Sequence, residues 1–198
     1  MMYYILKYLL YFPVKFFWLE RIDGLDNIPR GNFIISANHA SYLDFILLFL
    51  FIPRKISFLA AEKFFRNPIW FIIMKATGQI KVDRTSSKKD DVYLAVDRVF
   101  KNNKILGIFP EGTRSRDGFL NKAYCGVSKF AYKYKVPVLP VGIVGTFTCW
   151  PPHSKFPKFK KCLINIGEPI FINSLAFDAE TQKIMKRIAI LANQKYEY

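Results

Sequence analysis

The chain has 198 residues, of which 52% are hydrophobic and 17% aromatic, and its formal net charge at pH 7 is +15. This length allows one domain with a full core, and no linker-like or low-complexity segment indicates a second domain. Its three cysteines lack paired spacing, which argues against a disulfide framework or a zinc site and fits a reducing compartment. A composition that is both strongly basic and strongly hydrophobic is unusual for a freely soluble protein. It favours a protein that works at a membrane surface.

The first predicted element is an apolar helix over residues 1–20. Its first 19 residues carry only two charges, those of Lys7 and Lys15. On a helical wheel Lys7, Tyr11, Lys15 and Trp18 share one sector, which would place cations and aromatic rings at headgroup depth. We therefore expect a membrane-associating helix that lies in the interface. Because the segment is close to the ~20 residues that span a bilayer, a spanning helix is the alternative.

The next elements bracket one of the two histidines. A buried strand is predicted over residues 32–37 and an apolar helix over 43–51, so His39 falls in the connecting turn and Asp44 in the first helical turn. A carboxylate that accepts a hydrogen bond from one imidazole nitrogen leaves the other free to take a proton from a hydroxyl. The same residues also fit a capping box, in which Ser41 is the N-cap and Asp44 reaches back to its N–H.

The remaining elements alternate between strands and helices. We expect strands near residues 55–60, 79–83, 104–109, 136–143 and 162–166, and helices over 62–76, 89–101, 120–134 and about 178–195. This alternation predicts an α/β fold: a single domain over residues 21–198 with a central, mostly parallel mixed sheet covered by helices, preceded by the N-terminal membrane-associating helix.

Two further strands end in turns that contain arginine. One runs into Glu111-Gly112-Thr113-Arg114, and the other ends at Arg84. The planar guanidinium matches phosphate oxygens, and Gly112 allows a ligand to approach the backbone closely. Since the carboxyl ends of parallel strands meet at one edge of a sheet, we expect His39 and the Glu111–Arg114 turn to share a site.

Four blocks in this order resemble the glycerolipid acyltransferase family, whose best-known members are the 1-acyl-sn-glycerol-3-phosphate (lysophosphatidic acid) acyltransferases. The first block is a histidine, four residues and an aspartate, and the likeness covers roughly residues 33–143. The blocks are His39 to Asp44, Gly78 to Arg84, Phe109 to Ser115, and Val136 to Gly142.

The resemblance implies a membrane-associated O-acyltransferase that moves a fatty acyl group from acyl-CoA or acyl carrier protein to the free hydroxyl of lysophosphatidic acid, forming phosphatidic acid. It implies that His39 is the general base, that Asp44 orients it, and that no covalent acyl-enzyme forms. The implied substrate-binding residues are Arg84, Glu111, Gly112, Thr113 and Arg114, with the two arginines as candidates for the acceptor phosphate.

Two positions depart from the family pattern. Ala61 stands where many relatives have a lysine linked to the acceptor phosphate, and Lys63 would point to a different helical face. Tyr124 and Cys125 replace the basic pair that usually precedes the glycine after the third block. These changes leave another lysophospholipid or a hydroxylated lipid open as the acceptor.

Cations alternate with aromatic residues in Tyr132–Lys135 and Lys155–Lys161. Such mixtures suit anionic headgroups, where each lysine contributes on the order of 1 kcal/mol, although a solvated basic loop is the simpler interpretation. The same charge would attract CoA or an acidic carrier protein, and nucleic acid is not an expected partner. We expect a monotopic protein at the cytoplasmic face of a membrane. We expect no cofactor and no metal, because His39 and Asp44 alone would leave an ion under-ligated.

Two other function classes remain open on sequence alone. A non-catalytic basic module that binds membranes or nucleic acid needs neither the histidine–aspartate pair nor the arginine turns. A thioester hydrolase would use the same pair with water as the acceptor, so its release of fatty acid would not depend on an added lysolipid.

Overall fold

The computed structural model describes residues 2–82 and 90–198. The strands are β1 (Leu19–Asp23), β2 (Ile34–Ala37), β3 (Ile56–Ala61), β4 (Ile80–Val82), β5 (Ile105–Ile108), β6 (Val138–Val144) and β7 (Cys162–Ile166). The helices are α1 (Met2–Phe17), α2 (Tyr42–Phe51), α3 (Lys63–Arg66), α4 (Pro68–Thr77), α5 (Asp90–Lys101), α6 (Gly126–Tyr134), α7 (Thr146–Cys149) and α8 (Phe177–Leu191), with a 3-10 turn at Leu25–Asn27.

The seven strands form one sheet in the order β1-β7-β6-β2-β5-β3-β4. Every neighbouring pair is parallel except β6 and β7, which are antiparallel. β2 lies at the centre, where Ile34 pairs with Leu106 of β5 and Val138 of β6. The predicted α/β fold with a mostly parallel mixed sheet is confirmed.

Helices cover both faces of this sheet. Because successive side chains of a strand point to opposite faces, Ile35 of β2 packs into a core with α1 and α2, whereas Ile34 packs into a core with α5, α6 and α8. Burial on both faces explains why Phe33, Ile34 and Ile35 are consecutive apolar residues where this strand begins. The strand is therefore a rigid base for the turn that follows it.

The N-terminal helix α1 packs on α2 with one face only. Tyr3 is buried and its ring lies 4.7 Å from that of Phe49. Two members of the sector expected at headgroup depth instead face the domain: Lys7 donates to the carbonyl of Ile52 at 2.5 Å, and Trp18 Nε1 donates to the carbonyl of Lys158 at 2.9 Å, whereas Lys15 is exposed. For Lys7 and Trp18 the helical-wheel prediction was wrong, because these polar groups find protein acceptors.

None of the helices in the described parts of the chain is long and apolar enough to cross a membrane.

Several elements differ from the prediction; α7 was not predicted, and α8 ends at Leu191 and not near residue 195. β1 was not predicted, because its polar sequence gives little strand signal and its parallel pairing with β7 stabilises it. The helix expected over residues 62–76 is divided by Pro68, which begins α4. The helix expected from residue 120 begins at Gly126, because the backbone of Asn121 bonds to Glu111 instead.

Candidate active site

The candidate site lies where three neighbouring strands end. His39 follows β2, Glu111 follows β5, and Thr146 begins α7 directly after β6. The N–H of Ser115 donates to the carbonyl of His39 at 2.8 Å. The structure therefore brings the histidine turn and the Glu111–Arg114 turn together at the carboxyl edge of the sheet, the place where ligands bind in open sheets of this class.

His39 and Asp44 form a hydrogen-bonded pair. The distance from His39 Nδ1 to Asp44 Oδ2 is 3.0 Å, and the histidine side chain is 18% exposed whereas that of the aspartate is fully buried. A carboxylate that accepts from Nδ1–H selects the tautomer whose Nε2 carries the free lone pair. The imidazole can therefore receive a proton through Nε2.

The carboxylate of Asp44 is fixed by further donors. Its Oδ2 accepts the N–H groups of Ala40 and Ser41, both at 2.7 Å, and its Oδ1 accepts the hydroxyl of Thr146 at 2.5 Å. Ser41 is the N-cap of α2, and a capping box is present. The capping box and the oriented imidazole are thus two consequences of one buried carboxylate, not alternatives.

Aromatic packing restricts the imidazole from the side. The ring of His39 stacks on that of Phe109 with centroids 4.0 Å apart and an interplanar angle of 13°. Phe109 in turn stacks on Phe58, at 5.3 Å. Together with the bond to Asp44, this packing holds the histidine in one orientation.

Glu111 supports the histidine turn through the backbone. Its Oε1 accepts the N–H of His39 at 2.8 Å, and its Oε2 accepts the N–H of Asn121 at 2.8 Å and the Asn121 side-chain amide at 3.2 Å. The residue is 2% exposed, and burial raises the pKa of its carboxyl group to about 7. Both oxygens of this carboxyl group therefore accept hydrogen bonds from the protein itself. The predicted role of Glu111 at the acceptor site stays a prediction.

The rest of the predicted substrate-binding set lies on the same turn, apart from Arg84, which lies outside the described residues. Gly112 has a φ of 69°, a conformation that favours glycine, and its N–H donates to the carbonyl of Phe109 at 2.9 Å. Thr113 is exposed. Arg114 is half-buried beside the pair, with its guanidinium 3.7 Å from the ring centroid of Tyr42.

The sequence analysis missed several residues that build the site. Asn38 bridges to β6, since its side chain donates to the carbonyl of Ile143 at 2.9 Å and accepts the Ile143 N–H at 2.7 Å. Thr146, Asn121 and Phe109 also went unassigned. The adjacency of Asn38 to His39 was a usable signal, whereas the contact of Thr146 with a residue about 100 positions away leaves none in a single sequence.

Two of the three cysteines meet near the site. The sulfur atoms of Cys149 and Cys162 lie 3.3 Å apart, and both residues are free and buried. Sequence spacing gave no sign of this contact. In the described residues, no group of three or more His, Cys, Asp and Glu side chains is placed to hold a metal ion; the expectation of no metal stays a prediction.

Known proteins resemble this chain in sequence. A 1-acyl-sn-glycerol-3-phosphate acyltransferase of Bacillus subtilis is 28% identical over 88% of this chain and 88% of its own length. The Helicobacter pylori enzyme of the same name is 33% identical over 85% of this chain and 72% of its own length. The Saccharomyces cerevisiae relative is 29% identical over 89% of this chain. This chain spans 57% of that yeast relative and 41% of a chloroplastic relative from Brassica napus.

A solved structure and a family model agree with these likenesses. The crystal structure of the 1-acyl-sn-glycerophosphate (LPA) acyltransferase from Thermotoga maritima matches with a TM-score of 0.79 and 25% identity, covering 99% of this chain and 81% of that one. The family model named Acyltransferase matches residues 20–144, which include the histidine turn and the arginine turn. The chain belongs to the acyltransferase family, as its sequence blocks predicted.

Proposed function

We propose that this protein transfers a fatty acyl group from a thioester donor to the free hydroxyl of lysophosphatidic acid, forming phosphatidic acid for phospholipid synthesis. The observation that carries the proposal is the pair of His39 and Asp44, 3.0 Å apart at the carboxyl edge of the sheet and beside an arginine turn. The names of the relatives from Bacillus subtilis and Helicobacter pylori support the choice of acceptor.

In the proposed reaction the acyl group passes directly from the thioester donor to the acceptor hydroxyl. Nε2 of His39 takes the proton of the acceptor hydroxyl as its oxygen attacks the thioester carbonyl. The carbon–sulfur bond then breaks, and the histidine returns the proton to the leaving thiolate. Asp44 stabilises the imidazolium between these events, and no residue of the protein carries the acyl group.

The acceptor headgroup is assigned to the arginine turn. Arg114 presents a charged fork that matches phosphate oxygens, and Thr113 is an exposed hydroxyl on the same turn. Arg84 is the second arginine assigned to the phosphate. Glu111 and Gly112 complete the set by holding the turn in shape against His39.

A second acceptor class is favoured by one position. β3 ends at Ala61, where many relatives have the phosphate-linked lysine. Of the cations near this position, Lys81 and Arg66 pair with Glu62 at 3.2 Å and 3.5 Å, and the amine of Lys63 lies 5.4 Å from the ring centroid of Phe64. Another lysophospholipid or hydroxylated lipid, with a headgroup that needs fewer cations, is therefore the alternative acceptor.

Acceptor-dependent thiol release tests the proposal. The purified protein in liposomes is given acyl-CoA or acyl carrier protein, with lysophosphatidic acid, glycerol-3-phosphate, a neutral lysophospholipid or no acceptor. Release that depends on lysophosphatidic acid supports the main proposal, and release that prefers another lysolipid moves it to the alternative acceptor. Acceptor-independent release would indicate a hydrolase, and no release with either donor would indicate a non-catalytic module.

The donor is proposed to meet a basic stretch of the chain. Between Asp117 and Glu168 there are eight lysines and no acidic residue. The phosphates of CoA, the acidic surface of a carrier protein and anionic lipid headgroups would all be attracted to such charge. Parallel assays with the two donors separate the first two.

Membrane association is proposed to use the outer face of α1. Large apolar side chains are exposed there, and more lie on α4 and on the loop before β7. They are Tyr4, Ile5, Tyr8, Leu9, Phe12, Phe16, Trp70, Phe71, Ile72, Phe156 and Phe159. An exposed apolar surface of this extent beside lysines fits a monotopic protein that docks on the cytoplasmic leaflet.

A further inference from the structure

The guanidinium of Arg114 lies flat against an aromatic side chain and has an unused donor. Its centre is 3.7 Å from the ring centroid of Tyr42. The Nη1 atom is shielded from solvent and has no hydrogen-bond partner among the described residues. A charged N–H group without an acceptor is costly, and Arg114 as a whole is only half-buried, so its guanidinium is suited to an oxygen that a ligand supplies.

The ring of Tyr42 is itself held in place. It is the first residue of α2, and it contacts the rings of Trp150 at 5.5 Å and Phe64 at 6.4 Å. The carbonyl of Trp150 accepts the hydroxyl of Ser41 at 2.7 Å, which ties this packing to the N-cap of the helix. Tyr42 is therefore a fixed surface and not a mobile side chain.

The same short segment fixes the imidazole. Asp44, in the first turn of α2, accepts a hydrogen bond from His39 Nδ1, and the N–H of Ser115, which follows Arg114, donates to the carbonyl of His39 at 2.8 Å. The arginine, the tyrosine and the histidine are thus held in one spatial relationship. A headgroup bound by the guanidinium would lie at a set distance from the base.

We propose that Tyr42 is a positioning residue whose ring holds the Arg114 guanidinium ready for a phosphate-bearing acceptor, an oxygen of which pairs with the guanidinium. This inference rests on the proposed function. It adds a residue that supports the arginine without contacting the phosphate itself. An unsupported arginine would have to give up side-chain rotamers on binding, whereas a stacked one is already ordered. Cation–π contacts of this kind correspond to roughly 2-fold to 30-fold in binding.

The test compares Tyr42→Leu with Tyr42→Phe, which keeps the ring face. With a soluble short-chain lysophosphatidic acid we expect Tyr42→Leu to raise the KM for that acceptor about 10-fold and to leave kcat within about twofold. The reason is that the lost interaction stabilises the bound acceptor equally in the ground state and in the transition state. Tyr42→Phe should behave like the wild type. In an Arg114→Gln background, Tyr42→Leu should add little, since the ring acts only through the arginine.

Equilibrium binding of the same short-chain acceptor, without donor, gives a readout independent of turnover. Its Kd should rise about 10-fold in Tyr42→Leu and stay unchanged in Tyr42→Phe. Binding or KM that does not change in Tyr42→Leu, or an undiminished effect without Arg114, would overturn the inference while leaving the proposed function intact. A wild type that neither binds nor acylates this acceptor would overturn both. If thermal denaturation shows that Tyr42→Leu is unfolded, Tyr42→Met takes its place with the same expected outcomes.

Discussion

In most proteins charged side chains are exposed and large apolar ones are buried. The turn around His39 and the outer face of α1 depart from this pattern in opposite ways. In the turn a carboxylate is fully buried, and Asp44 bonds the imidazole, two backbone N–H groups and a hydroxyl. On α1 the side chains of Phe12 and Phe16 are 75% and 74% exposed. A buried charge is maintained where a geometry is needed, whereas an exposed apolar face is maintained where an apolar partner is needed.

The two regions are nevertheless physically connected. α1 packs on α2, the helix that begins beside the histidine, through Tyr3 and Phe49. The loop before β7 joins both, because Trp18 donates to the carbonyl of Lys158 and Ser41 donates to that of Trp150. The surface proposed for the membrane thus borders the site proposed for chemistry, which would allow a lipid acceptor to pass between them.

The largest expected effect comes from removing the buried carboxylate. Asp44→Ala should lower acyl transfer at least 10³-fold, because the imidazole loses its orienting partner, and should destabilise the fold by about 3 to 5 kcal/mol, because four donors lose their acceptor. Steady-state kinetics and urea denaturation measure the two effects.

Asp44→Asn is the matched control for that experiment. It keeps the volume and one acceptor oxygen, so the loss of stability should be smaller than in Asp44→Ala, while activity stays low because the amide does not enforce the required tautomer. If Asp44→Asn retained full transfer, the carboxylate would be a helix cap only.

A pH-dependent effect is expected at Glu111. Its folded-state pKa is raised to about 7, so the folded protein binds a proton more tightly than the unfolded chain between about pH 4.5 and 7. The stabilisation that the protonated Glu111 contributes is fully present below its pKa in the unfolded chain. It is lost as the pH rises through its pKa in the folded protein. Relative to the non-titrating Glu111→Gln variant, the wild type should therefore lose on the order of 3 kcal/mol across this range.

Thermal denaturation of the wild type and Glu111→Gln between about pH 5 and pH 8 measures that difference. The gap between their midpoints should shift in favour of the variant as pH rises. A gap that is constant with pH would show that Glu111 does not titrate in this range in the folded protein.

A smaller effect is expected at the exposed face. Replacing Phe12 and Phe16 together by serine should weaken binding to anionic vesicles by about 2 kcal/mol, roughly 30-fold, because two rings no longer enter the interface. Fold stability should change little, since neither ring packs in the core. Vesicle flotation and thermal denaturation give the two readouts.

Leu94→Ser provides the control, because this residue is 54% exposed on α5, over the opposite face of the sheet. It should leave vesicle binding unchanged. Equal losses in the two variants would mean that the outer face of α1 is not the docking surface.

The sequence predicted much of the central fold and of the site for a physical reason. β2 and α2 are rich in apolar residues, so the turn between them could be placed, and the offset from His39 to Asp44 is compatible with helix geometry. The acceptor of the Lys7 amine and the donor from Thr146 to Asp44 are long-range contacts that depend on how elements pack. Local patterns contain no record of them, and this is why Lys7 and Trp18 were assigned to the wrong side of α1.

The most direct test of the account is the rate of lysophosphatidic-acid-dependent thiol release from acyl-CoA by the wild type and by His39→Ala. The ring of this histidine is 18% exposed and stacks on Phe109, so the variant should lose some stability, but it should stay folded because Asp44 keeps its three other donors. We predict acceptor-dependent release by the wild type and a loss of about 10² to 10⁴-fold in the variant. Release by a folded His39→Ala protein at the wild-type rate would contradict the account.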